Sequence, residues 1–398
     1  MKIILITPVY PSKSAPAGST PVVHYFTREW VKMGHEVTVF HLEVSYPFFV
    51  LWLTRLFEKR IYSKIGFPAP TKKPKPYNEV LDGVEVHHLP IKKIIRADRF
   101  KKKYVDECFQ KILSFCKQNR TPDLFIGHWD SPQIEILNML KAVYPNVNNA
   151  IVFHSLNRDL RKSYKEDFER LFSGIDNFGF RSEVALQTFS NRYFVPRHTF
   201  IAASGINEIF IRNYSEKTFD EGIKNFVYVG ALIKRKHPAE VLEAISEVFQ
   251  KEQYHITYIG EGAEKDAILE AVKDTGDYGE VTFTGRIDRT QVVNHYRDND
   301  VFVMISDKET FGLVYLEAMA MGCITIASVG GGIDGIIQDG INGFLCKSGD
   351  KGDLARIIRM IKRLPVEELR KISLNGVETA RKFSDSKVAA IYLNSIVK

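Results

Sequence analysis

Two glutamates separated by seven residues, Glu309 and Glu317, stand in the stretch from Ser306 to Gly322. An apolar run ends near Ile305, a polar loop holds Glu309, and Gly312 introduces a helix that carries Glu317. The backbone N–H groups of Phe311, Gly312, Leu313 and Val314 then lie at a helix start. There they lack intrahelical acceptors and can hold a phosphate. One acid in the loop and one about a turn inside the helix can serve opposite ends of a single ligand. A surface loop acid and a solvent-facing helix acid would account for the same two residues. Against that plainer reading, Glu317 sits beside Leu316 and the run Ala318 to Met321, where an uncompensated carboxylate is costly. A polyhydroxyl group such as a ribose suits it as a partner.

Other residues converge on a phosphate-rich ligand. Gly230 follows the apolar run Val227 to Val229 and opens a loop with Lys234, Arg235 and Lys236 before Pro238. Such a loop is either merely solvated or neutralises a leaving diphosphate. Gly330, Gly331 and Gly332 permit close backbone approach to a ligand. Gly18 and Ser19 follow the first strand, where their loop could touch either substrate. His154 ends the run Ile151 to Phe153 and is either structural or placed to bond a sugar hydroxyl or the reacting centre. His24 and His128 have weaker positions.

The elements that must position these groups alternate between strand and helix. Strand Ile3–Thr7, helix Val22–Met33 and strand Glu36–His41 open the chain. An irregular insertion covers Ser45–Val80, followed by strand Val84–Leu89, helix Lys101–Gln118, and strands Leu124–Gly127 and Ala150–Phe153. Lys162–Asn191 reads as helical, Phe194–Pro196 and Phe200–Ala203 as final strands or turns, and Ser204–Ile223 as a hinge. The same grammar restarts with strand Asn225–Val229 and helix Pro238–Gln250. It continues through strands Tyr254–Ile259 and Val281–Thr284, helix Arg289–Arg297, strand Val301–Ile305, helix Val314–Met321 and strand Ile324–Ala327. Both halves therefore predict an α/β doubly wound sheet, whose ligands sit beyond the carboxyl ends of strands.

The 398 residues, 44% hydrophobic, suit two domains of ordinary size. Four cysteines with no close pair argue against a disulfide scaffold or cysteine-based zinc site and fit a reducing compartment. The apolar N-terminal run and the segment Pro47–Leu53 are too short for a leader or a membrane span. The net charge of +7 is concentrated in the first half, where Ile91–Lys117 holds nine lysines and arginines against three acids. Phe48–Tyr62, with Trp52 and Phe57, and the basic region Lys92–Lys103 predict docking on an anionic membrane face. The competing reading packs those aromatics inside an ordinary helical subdomain. Nucleic acid would need only the basic patches and leaves Glu309 and Glu317 unexplained.

The context Glu309-Thr-Phe-Gly-Leu-Val-Tyr-Leu-Glu317-Ala-Met-Ala-Met-Gly322 closely resembles the family-4 retaining glycosyltransferases of GT-B fold. The likeness continues through Gly331–Leu345, Val229–Lys236, Ile259–Gly262 and Phe283–Arg286. The first half is matched only by its opening strand, the Gly18 loop and His154. The resemblance implies two Rossmann-like domains facing across a cleft: 1–205, with the last helix 383–398 packing back on it, and a donor domain 206–382. It implies a metal-independent retaining transferase without cofactor. Lys236 would bind the diphosphate and Glu317 the ribose. Gly285, Arg286 and Ile287 would contact the base, and Glu309 and His154 the donor sugar. Catalysis then rests on Glu309, His154 and Lys236, by same-face attack or, alternatively, with Glu309 as nucleophile. Two departures stand out. Ala231 occupies a position where the family commonly has an arginine, and Arg235 or Lys234 of the same loop is the expected substitute. Asp334-Gly335 stands where Pro-Glu is common.

The donor expected is a UDP-hexose, with GDP-mannose as alternative, and the acceptor a lipid-linked or other glycan of polysaccharide synthesis. The protein is expected to be cytoplasmic, peripherally attached to the inner face of the cell membrane. An epimerase or phosphorylase on the same fold, or an inactive carbohydrate-binding relative, remains open. A dinucleotide oxidoreductase is disfavoured because no clean GxGxxG follows the first strand.

Overall fold

Ile3, Ile4, Leu5 and Ile6 are wholly inaccessible to solvent, as a continuous apolar run in a central parallel strand must be. The computed structural model describes residues 1–14, 21–58, 60–61, 70–93, 99–156, 158–275 and 281–397. The chain divides into unit one, Met1–Glu58, Pro68–Ser204 and Asp385–Lys398, and unit two, Gly205–Ser384 with Lys59–Phe67.

In chain order, unit one contains β1 (Lys2–Thr7), α1 (Val22–Lys32), β2 (Glu36–Ser45), α2 (Phe48–Leu56), β3 (Tyr77–Leu81) and β4 (Val84–Lys92). It continues with α3 (Lys102–Gln118), β5 (Leu124–His128), α4 (Gln133–Val143), β6 (Asn148–Phe153), α5 (Leu160–Tyr164) and α6 (Asp167–Ser173). Then come β7 (Asn177–Phe180), α7 (Glu183–Arg192) and β8 (Thr199–Ile201). The strands form one sheet in the order β3-β4-β2-β1-β5-β6-β7-β8. Among the described strands only β3, hairpin partner of β4, runs antiparallel.

Unit two contains α8 (Glu208–Arg212), β9 (Asn225–Val229), α9 (Pro238–Val248), β10 (His255–Ile259), α10 (Lys265–Thr275) and β11 (Val281–Gly285). After these come α11 (Arg289–Asp298), β12 (Val301–Val303), α12 (Leu313–Ala320), β13 (Ile324–Ser328), β14 (Phe344–Cys346), α13 (Lys351–Lys362) and α14 (Val366–Arg381). Its parallel sheet has the order β11-β10-β9-β12-β13-β14. Counted from β9 this is 3-2-1-4-5-6, the doubly wound order of nucleotide-binding sheets.

A last helix, α15 (Asp385–Ile396), belongs to unit one. Trp30 of α1 is fully buried and donates from Nε1 to the Ala389 carbonyl at 2.9 Å. Tyr392 meets the rings of Phe26 and Trp30 edge-on, each at 5.1 Å, and lies against Phe200 at 5.0 Å. Edge-on pairs of this kind add about 0.5–1.5 kcal/mol each to the burial term.

Several expectations need correction. Lys162–Asn191 is not one helical stretch but three helices interrupted by β7. Gly179 lies in that strand because the Phe200 ring occupies the space beside it, 2.5 Å from where a Cβ would stand. The insertion Ser45–Val80 holds α2 and the start of β3. The hinge segment contains α8, capped by the Asn207 side chain. Phe194–Pro196 is no strand. Helix α4 was missed. Its apolar positions flank polar Gln133, Glu135 and Asn138, and its N-cap is a proline without a capping side chain.

Candidate functional site

In unit two the strand order reverses direction between β9 and β12, and the loops leaving their carboxyl ends meet there. Those loops bring Gly230, Arg235, Lys236 and Glu309 together. The Lys236 ammonium is 3.3 Å from Glu309 Oε2, and Arg235 Nη1 is 3.8 Å from the same oxygen. Ser306 Oγ donates to it at 3.3 Å. Burial pushes the Glu309 carboxyl up, but Lys236, Arg235 and the Ser306 hydrogen bond outweigh that and hold it below its ordinary 4.5. Glu309 is therefore a carboxylate held by two cations. His237, in the left-handed conformation at φ 49°, anchors the loop through Glu240 at 3.2 Å and Asp307 at 3.1 Å.

Glycine makes these loops tight. A Cβ on Gly260 would fall 1.9 Å from the Gly230 carbonyl oxygen, and one on Gly332 would fall 2.0 Å from that of Thr310. The Gly332 N–H donates to the Glu309 carbonyl at 2.8 Å, so the loop after β13 packs directly on the Glu309 backbone. Gly312 caps α12 at φ 79°, with the Tyr315 ring where a Cβ would point. Phe311 is buried, and Leu313 and Val314 are half-buried. The N–H groups of Leu313 and Val314 open the helix, ahead of its first intrahelical bond.

Glu317 is not waiting uncompensated for a ligand. Arg289, at the start of α11, donates from Nε to Glu317 Oε1 at 2.7 Å, and its Nη2 also pairs with that oxygen. The Arg289 guanidinium also lies 5.5 Å from the Phe210 ring centre. Arg289 belongs to no motif, and nothing at a distance of 28 residues in sequence signals the contact. Gly285 ends β11 at the edge of the sheet, and Arg286 and Ile287 follow it. Gly285 has φ 70° and accepts from Gly260 N–H at 2.9 Å, and Arg286 is exposed. At the Ala231 departure, Arg235 supplies a guanidinium from the same loop, bonded to the Asp307 carbonyl at 3.4 Å.

His154 lies in unit one, after β6. Its Nε2 is 2.8 Å from His128 Nδ1, and His128 Nε2 is 3.0 Å from the Tyr392 hydroxyl. Burial first, then Arg181, pushes both imidazoles well below 6.5, so both are neutral. Tyr392 is fully buried, and among the described residues its hydroxyl has no hydrogen-bond partner but His128. Its proton therefore goes to His128 Nε2, since an unpaired buried hydroxyl proton is costly. His128 then donates from Nδ1, and His154 carries its own proton on Nδ1. The Trp129 ring, whose residue has φ 65°, stacks on His154 at 3.7 Å and fixes its plane. Sequence position undervalued His128, because its role depends on Tyr392, 264 residues away. Gly18 lies outside the described residues.

Residues 211–379 match the family described as Glycosyl transferases group 1. A relative from Bacillus anthracis, N-acetyl-alpha-D-glucosaminyl L-malate synthase, is 32% identical over 182 residues, 44% of this chain and 46% of that protein. The chain thus spans about half the length of the curated relatives it matches. Among solved structures, a sucrose-phosphate synthase from Thermosynechococcus elongatus superposes with a TM-score of 0.68 at 18% identity, covering 99% of this chain and 98% of that one. The Anabaena protein HepE, solved with UDP and glucose, gives 0.67 at 14% identity with the same coverage. At such identities the structural likeness establishes the fold. Taken with the family match, it makes this chain a GT-B-fold protein related to the group 1 glycosyl transferases.

Proposed function

We propose that the chain moves a hexosyl group from a nucleotide sugar to a glycan acceptor with retention of configuration. The observation that carries this reading is the convergence of Lys236, Arg235 and Glu309 at the switch point of unit two, beside the open N–H groups of α12. A diphosphate needs cations and N–H donors, and a pyranose needs an ionised acceptor for its hydroxyls. The UDP and glucose in the HepE structure favour a UDP-hexose donor here.

In this reaction the acceptor oxygen bonds to the anomeric carbon on the face from which the diphosphate leaves. The bond from that carbon to the phosphate oxygen breaks, and its electron pair stays on the diphosphate. A phosphate oxygen takes the acceptor proton. Lys236 and Arg235 stabilise the charge that develops on the leaving group. Glu309 bonds the sugar hydroxyls and faces the electron-poor ring, Glu317 binds the ribose, and His154 Nδ1–H donates to a sugar hydroxyl.

Unit one would recruit the acceptor at a membrane surface. Helix α2 exposes Phe48 (79%) and Trp52 (57%), together with Phe49, Leu53 and Leu56. These aromatics are not packed inside. Part of Phe48–Tyr62 and of Lys92–Lys103 falls outside the described residues. No described helix is long and apolar enough to cross a membrane.

Calorimetry with UDP, GDP and ADP and their hexose conjugates, on the wild type and on Lys236→Ala, tests the donor site. Selective binding that Lys236→Ala weakens supports it. Equal affinity in both proteins, or no binding by the folded wild type, removes the donor reading.

A further inference from the structure

Strands β2 and β4 are parallel neighbours, and His41 stands opposite His88 in their register. Glu43, two residues beyond His41, shares its face of the sheet. His41 Nδ1 and His88 Nδ1 face each other at 3.0 Å. The far nitrogens have partners that only accept: His41 Nε2 lies 3.2 Å from the Pro8 carbonyl, and His88 Nε2 lies 2.9 Å from Glu79 Oε1. Each Nε2 therefore carries a proton, and in neutral rings both facing Nδ1 atoms are lone pairs. Two lone pairs at 3.0 Å repel unless an electrophile lies between them. A proton on either ring would do this, but both rings are buried, which disfavours the charged form.

Glu43 supplies the third group. Its Oε1 accepts from Ser12 at 3.0 Å and Ser14 at 2.6 Å, while its buried Oε2 has no hydrogen-bond partner among the described residues. One ligand atom from each of His41, Glu43 and His88 falls within 4.8 Å of the other two. Imidazoles whose far N–H is bonded to a carboxylate or a carbonyl are how metal sites fix ring tautomer and orientation. The 3.0 Å separation suits two nitrogens each roughly 2.0–2.1 Å from one ion. The Tyr77 ring, stacked on His88 at 4.0 Å, covers one side.

We propose that His41, His88 and Glu43 form a binding site for a divalent transition metal of the zinc class. Two imidazoles and one carboxylate are the donor set that such an ion prefers over calcium or magnesium. The ion would tie β2 to β4 and, through Pro8, Ser12 and Ser14, pin the loop that follows β1. This site belongs to unit one, whereas the proposed donor loops, for which the resemblance implied no metal, belong to unit two.

The test titrates Zn²⁺ into the full chain, first stripped with a chelator, by calorimetry. Histidine nitrogen NMR is recorded in parallel. One bound equivalent is expected, with the Nδ1 resonances of His41 and His88 shifting together. His88→Gln should abolish that equivalent. Glu79→Gln, which leaves every ligand in place, should weaken it roughly 10–100-fold. The NMR readout on the wild type keeps the test decisive if His88→Gln does not fold. A folded wild type that takes up no equivalent overturns the proposal. So does an equivalent that leaves both Nδ1 resonances unmoved, or one bound with equal affinity by folded His88→Gln.

Discussion

Arg289 donates to Glu317 at 2.7 Å, so the glutamate expected to meet a ribose is already half of an ion pair. The Glu317 side chain is 5% exposed and that of Arg289 29%. Glu317→Ala should therefore cost about 1–3 kcal/mol of stability, below the cost of breaking a fully buried pair because Arg289 reaches solvent. Denaturant unfolding measures this. Calorimetry separates the two roles: Glu317→Ala should weaken UDP binding at least tenfold, whereas Arg289→Ala should lose stability and stay within about threefold in affinity. Equal affinity losses would make the pair a single binding unit.

Glu309 has a folded pKa below its ordinary 4.5, because its two cations and Ser306 outweigh burial. Its contribution is present above the unfolded value and is lost as the pH falls through the folded one. The stability difference between wild type and Glu309→Gln should thus be constant near neutrality and shrink below pH 4.5. Turnover by Glu309→Gln should fall by about 10²–10³ if the carboxylate stabilises the transition state. Initial rates with a saturating donor measure that loss.

The histidines His24, His35, His41, His88, His128 and His154 all lie in unit one, and burial lowers the pKa of each. In the unfolded chain they take protons near 6.5 that the folded unit takes up only at lower pH. Stability then falls with acidification, by up to about 1.4 kcal/mol per pH unit for each fully neutral ring. Hydrogen exchange between pH 7 and pH 5 should show unit one losing protection more steeply than unit two.

Tyr392→Phe removes the proton that orders His128 and His154. The variant should retain its fold, since the ring still fills its place against Phe26 and Trp30, at a cost of about 1–3 kcal/mol for the orphaned nitrogen. Nitrogen NMR should show His154 changing from a single Nδ1–H tautomer to a mixture, with turnover falling about tenfold. An unchanged tautomer would rule out this role for Tyr392.

Trp52 and Phe49 project from α2 into solvent. Burying each in a bilayer interface is worth roughly 1.5–3 kcal/mol. Replacing both with serine should reduce cosedimentation with anionic vesicles at least tenfold without moving the melting temperature. Binding by the double variant equal to wild type would show that this helix does not dock there.

The strand and helix grammar of unit two was legible because its strands are buried on both faces. Runs such as Phe226–Val229 and Ile324–Ala327 then become continuously apolar. Glycines that allow no Cβ, such as Gly260 and Gly332, leave a similarly local mark. The Lys236 and Glu309 loops could be paired because each follows a strand, and a doubly wound sheet sends such loops to one edge. Gly179 shows the converse. It falls inside the stretch Lys162–Asn191 that reads as helical, yet it is a strand position emptied for Phe200, and only packing reveals that.

The amino-acid sequence by itself therefore determined most of the strand and helix order of unit two, the loops that follow its strands and the family likeness. These are encoded within a few residues of one another. Tertiary structure alone decided that Arg289 answers Glu317, that Tyr392 orients His128 and His154, and that His41 meets His88 across two strands. Each of these is a contact between side chains far apart in the chain. Hydrogen bonds and ion pairs act over a few ångströms in space, and no spacing along the backbone records which distant groups the fold will bring within that reach.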